Sequence, residues 1–97
     1  MFVITLSYLK PLTEMDRLRP AHLEFLDRYY AKNIFLTSGR QTPPTGGVIL
    51  ALADSKAALE QIIAEDPFYT EKAATYTITE FIPTKVNQNL ADLLKVA

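Results

Sequence analysis

The chain has 97 residues, 48% apolar and 22% charged, with three glycines, one histidine, no cysteine and a formal net charge of −1. A single core is what that length can build, so one domain over residues 1–97 is expected. The composition excludes a disulfide framework, a thiol nucleophile and a thiolate metal site, and it offers no clustered cations for phosphate backbones or anionic lipid.

Neither a nucleic-acid nor a membrane partner is therefore expected. The longest apolar runs, such as Val48 to Ala53, fall far short of the ~20 residues that span a bilayer. Met1 leads into a strand-like pattern without a basic leader, and the chain reads as cytoplasmic.

Phe2, Ile4, Leu6 and Tyr8 alternate with Val3, Thr5 and Ser7, a period of two that predicts a first strand ending before Lys10-Pro11. Thr13 or Asp16 is available to cap the helix after it. Pro20 fits a first helical turn, so the regular helix is expected from there to about Lys32, with Arg19 at its entrance. Along it Leu18, His22, Phe25 and Tyr29 share one face, while Glu24, Asp27 and Arg28 fall on the other. The imidazole thus points among apolar side chains.

Asn33 marks a turn, Ile34 to Thr37 a short second strand, and Ser38-Gly39 its end. From Arg40 to Gly47 turn formers dominate, which predicts an irregular loop long enough to rim a site. Gly46 and Gly47 close it, either for close backbone approach to a ligand or for a hairpin. Val48 to Ala53 is apolar on both faces and reads as a central third strand. Asp54 or Ser55 then caps a second helix, whose narrow inward sector holds Leu59, Ile62, Ile63 and Asp66. Placed at the helix end, Asp66 opposes the dipole by some tenths of a kcal/mol and wants a compensating partner.

Thr75 to Ile82 is the fourth strand, closed by Pro83, and Leu90, Leu93 and Leu94 mark a C-terminal helix. These elements divide the domain into a core of residues 1–85 and a helical extension of residues 86–97. The order βαββαβ predicts an α+β protein with a ferredoxin-like antiparallel sheet and both helices on one face. Strands one and three are apolar or mixed on both faces, so a second copy packing sheet to sheet is expected to cover the open side. That homodimer leaves the C-terminal segment free to reach across.

His22 and Asp66 are the only ionisable pair that the pattern places on buried stripes. A buried carboxylate needs a donor, and an imidazole needs a group that fixes its tautomer. Two readings stand at this point: a structural tie between helices, and a pair for general acid–base chemistry. One histidine and no acidic cluster at ligand spacing leave too few groups for a metal, and no cofactor motif is present. Ser38 sits in Thr-Ser-Gly-Arg, without the flanking glycines of a nucleophile elbow.

Six stretches together resemble the YciI-like (YCII-related) proteins, small α+β barrel dimers. They are Phe2-Val3-Ile4, Arg19-Pro20-Ala21-His22-Leu23, Ser38-Gly39, Gly46-Gly47, Asp66-Pro67-Phe68-Tyr69 and Glu80-Phe81-Ile82-Pro83-Thr84-Lys85. The resemblance implies the ferredoxin-like fold, a dimeric α/β barrel and an active-site histidine–aspartate pair at His22 and Asp66. It also implies a cleft rimmed by residues 38–47, with Arg19, Ser38, Gly39, Gly46, Gly47 and Phe68 as substrate-binding residues. Many relatives carry a glycine shortly after the Asp-Pro-Phe segment, where this chain has Glu71-Lys72-Ala73-Ala74. The chemistries that the resemblance brings with it are dehydrochlorination of a chlorinated hydroxyquinol and, through a similar fold, muconolactone isomerisation. Both move protons on small rings. The function expected is therefore a lyase, isomerase or hydrolase acting on a cyclic or phenolic metabolite, with a non-catalytic ligand-binding or regulatory dimer as the alternative.

Overall fold

The computed structural model describes residues 1–94. In chain order they form β1 (Phe2–Tyr8), α1 (Leu12–Ala31), β2 (Phe35–Arg40), β3 (Gly46–Ala51), α2 (Lys56–Ile63), α3 (Pro67–Thr70), β4 (Ala74–Glu80) and α4 (Gln88–Leu94). The four strands are antiparallel in the order β2-β3-β1-β4. That is the expected ferredoxin-like sheet, with the short α3 added before β4.

Two rows of this sheet face the helices and position the site. Leu6 pairs with Gly47 and Tyr76, and Gly47 in turn with Arg40; beside that row, Ile4 pairs with Ile49 and Ile78, and Ile49 with Ser38. Phe2, Ile4, Leu6, Phe35 and Ile49 of the sheet and Met15, Phe25, Leu59, Ile63 and Phe68 of the helical layer form the core. The opposite face carries half-buried Val3, Thr5 and Leu50 and the exposed Val48. Beside it Phe81 and Leu90 border an apolar groove of about 330 Å³ that reaches Leu36 and Leu50.

The first helix departs from expectation. It starts at Leu12, with Pro11 at its cap and no side-chain capping bond, so neither Thr13 nor Asp16 caps it, and Pro20 lies inside. An interior proline costs about 3 kcal/mol. The extra turns bury Met15 (0% exposed) and Leu18 (7%), each contributing about 1.5–3 kcal/mol. Burial wins, and the exposed Pro20 breaks the ladder only on the solvent side.

The expected loop also shrinks. Ser38, Gly39 and Arg40 continue β2 opposite Ile49, Val48 and Gly47, leaving only residues 41–45 as the hairpin connection. Ser-Gly-Arg has little strand preference of its own, and pairing with β3 supplies it.

Ser55, not Asp54, caps α2, its side chain accepting from the Ala58 N–H at 3.1 Å. That helix ends at Ile63, so Asp66 does not close it. It caps α3 instead, with Pro67 at the first helical position, where a carboxylate is favoured by the dipole. The C-terminal helix lies where expected, whereas the side chains of Leu93 and Leu94 and the last three residues of the 86–97 extension lie outside the described residues. No helix among the described residues is long and apolar enough to cross a membrane.

Candidate active site

His22 projects from the buried stripe of α1, and Asp66 from the turn between α2 and α3. The two meet at 2.8 Å between Nδ1 and Oδ1, with Asp66 fully buried and His22 8% exposed. The turn is pinned to α1 next door: Tyr29 donates its hydroxyl to Glu65 at 2.6 Å, and Arg28 reaches the same carboxylate at 3.3 Å. The Tyr29 hydrogen bond, with Arg28 beside it, holds the Glu65 carboxyl below its usual range.

Asp66 accepts from three groups: the His22 imidazole and the Phe68 N–H, both at Oδ1, and the Tyr76 hydroxyl at Oδ2. A carboxyl group surrounded by donors is arranged for its ionised form, which puts the imidazole proton on Nδ1 and leaves Nε2 with a lone pair. Burial, with the Asp66 charge beside it, pushes the Tyr76 phenol far above its ordinary range, so it serves as a fixed donor. Among the described residues no buried side-chain nitrogen or oxygen lacks a partner, and Nε2 is bonded to none of them. Nε2 therefore reaches solvent. His22 lines a cleft of about 200 Å³.

Phe68 lies flat on the imidazole, ring centroids 4.0 Å apart and planes within 9°, and Tyr8 meets the same phenyl ring edge-on. At 1% exposure Phe68 borders the cleft chiefly as the support that fixes the plane of His22. Arg19, Ser38, Gly39 and Gly47 line the cleft. Gly46 does not. A Cβ there would stand 1.8 Å from the Leu6 carbonyl oxygen, so this glycine answers to strand packing, whereas at Gly47 the nearest atom would be the Gly39 oxygen at 3.0 Å. Residues 71–74 stay off the cleft; Lys72 adopts the left-handed angle (φ 52) that a glycine would take freely.

Two participants carry no sequence expectation, and a third was expected only as part of the rim. Tyr76 completes the carboxylate's partners, Tyr30 holds the Ser38 hydroxyl at 2.6 Å, and Arg40 joins the cleft wall. Alternation carries the signal for Tyr76, which lies on the Ala74 and Ile78 side of β4, while Arg40, within the expected rim of residues 38–47, reaches the wall as the last residue of β2. Among the described residues no group of three or more His, Asp or Glu side chains could hold a metal ion.

The family model of the YCII-related domain matches residues 1–82. The chain belongs to that family. No functionally curated protein matches it. Among solved structures, this YCII-related chain is similar to 5-chloro-2-hydroxyhydroquinone dehydrochlorinase (TftG) from Burkholderia phenoliruptrix AC1100, in complex with 2,5-dihydroxybenzoquinone. The TM-score is 0.70 at 17% identity, covering 84% of this chain and 94% of that one. At that identity the likeness speaks for the fold.

Proposed function

We propose that this YCII-related protein is an enzyme of small-molecule metabolism, a lyase, isomerase or hydrolase that moves protons on a cyclic or phenolic substrate. Nε2 of His22 takes a proton as general base and returns it as general acid, while Asp66 keeps Nδ1 protonated and stabilises the imidazolium between the two steps. Arg19 and the backbone at Ser38 and Gly39 receive the oxygen on which negative charge develops. One observation carries the reading: an imidazole bonded through Nδ1 to a buried carboxylate belongs to a residue that lines an open cleft. A histidine serving only to tie helices together has no need of that opening. The ring chemistry is suggested by the dehydrochlorinase whose fold this chain shares.

The working unit in this proposal is a homodimer that buries the face bearing Val3, Val48 and Leu50, in a cytoplasmic setting. Support comes from the apolar side chains left on that face, with Val48 36% exposed. A concentration-independent monomer mass in light scattering would remove the dimer without touching the chemistry.

The test is chloride release from 5-chloro-2-hydroxyhydroquinone, with a muconolactone as the isomerisation arm. Wild type should convert at least one of them, and His22→Gln should lose about a hundredfold or more of the rate, the usual contribution of a positioned base. Equal turnover by His22→Gln, or binding of both compounds without conversion, would overturn the catalytic reading, the latter in favour of a ligand-binding dimer.

A further inference from the structure

The walls of the cleft contain two guanidinium groups, Arg19 and Arg40, and no carboxylate. This is unexpected in a chain whose net charge is −1. The Asp66 charge lies behind the imidazole and is enclosed by its three donors. Resting on the reading that this cleft is the ligand site, we propose that its ligand is a small ring compound with acidic oxygens at two separated positions. Arg19 meets one of them and Arg40 the other.

The two cations stand on opposite walls. Arg19 lies three residues before His22 on α1, in the helical layer. Arg40 lies at the end of β2 in the sheet, paired with Gly47, whose missing side chain leaves the floor open between Arg40 and Leu6. Asp16 engages only the Nε and Nη2 edge of Arg19, at 3.4 and 3.2 Å, so Nη1 stays available to a ligand. Arg40 forms no ion pair among the described residues, in contrast to Arg17, Arg19 and Arg28. Between the two, Leu6, Leu23 and Leu26 present apolar surface suited to the faces and edges of a ring. A single cation would suffice for one oxyanion. Two on facing walls, with no acid between them, select against neutral rings and in favour of doubly charged ones.

The probe is 2,5-dihydroxybenzoquinone, ionised at both hydroxyls at neutral pH, compared with its neutral dimethyl ether. Calorimetry gives affinity, and the NMR signals of the chain's one histidine show whether the cleft is occupied. The dianion should shift those signals and bind at least tenfold more tightly than the ether. Arg19→Met and Arg40→Met should each weaken it by about tenfold or more, the ordinary loss of a charged hydrogen bond, and leave the ether unchanged. If the dianion moves the His22 signals yet binds Arg40→Met as tightly as wild type, the two-cation proposal falls and the cleft stands. If neither compound moves those signals, both readings fall together.

Discussion

The Tyr76 hydroxyl donates to the one Asp66 oxygen that His22 leaves free, joining β4 to the base of the cleft. Replacing Tyr76 with Phe removes that donor from a buried charged acceptor and should cost about 1.5–3 kcal/mol in urea unfolding. The loss should also depend on pH. Above pH ~10 an unfolded chain gives up its phenol protons, while burial makes folded Tyr76, and to a lesser degree Tyr29, retain theirs. The folded state then binds more protons than the unfolded one, so wild-type stability should fall as pH rises past that point. In Tyr76→Phe the alkaline decline should be shallower, with Tyr29 supplying what remains. An unchanged slope would mean that the phenol titrates freely in the folded protein.

Asp66→Asn should separate folding from chemistry. An amide oxygen still caps α3 at the Phe68 N–H, so the chain should fold with a loss of about 1–3 kcal/mol. What disappears is the charged acceptor that keeps the imidazole proton on Nδ1. Nitrogen-15 NMR of the lone imidazole should report Nδ1–H in the wild type and a shift towards Nε2–H in the variant, with turnover lost in parallel. Identical tautomer signals in the two proteins would remove Asp66 as the orienting group.

Neighbouring glycines should respond differently to the same methyl group. At Gly46 the added carbon collides with the Leu6 backbone oxygen, so Gly46→Ala should destabilise the sheet by about 1–3 kcal/mol. At Gly47 the contact is only tight, and beyond it the carbon meets cleft space. Gly47→Ala should therefore fold nearly as well while weakening ligand binding. Melting temperature and binding measured on both variants decide the matter, and equal melting losses would contradict the assigned roles.

Lys72 holds a left-handed backbone angle that costs an ordinary residue about 1–2 kcal/mol. Lys72→Gly relieves that strain at the expense of greater freedom in the unfolded chain, for a net gain of up to about 1 kcal/mol. In a domain of this size the melting temperature should rise by a few degrees. Lys72→Ala keeps the strain and should show no such rise.

Periodicity alone was enough to place His22, Phe25 and Tyr29 on one buried helical stripe and to put strands around them, because spacing along a helix or strand is a local property. It also marked Asp66 as a carboxylate in need of a partner. The reason it assigned was mistaken, since the residue begins α3 and does not end α2. Other features waited on distant parts of the chain. Burial of Met15 and Leu18 carries α1 through Pro20, and pairing with β3 makes a strand of Ser38-Gly39-Arg40. Tyr76 could not be assigned to the site before strand register was known, because alternation gives the side of a strand but not what stands opposite it. Residue pattern determined which side chains turn inward; packing and register decided which of them meet.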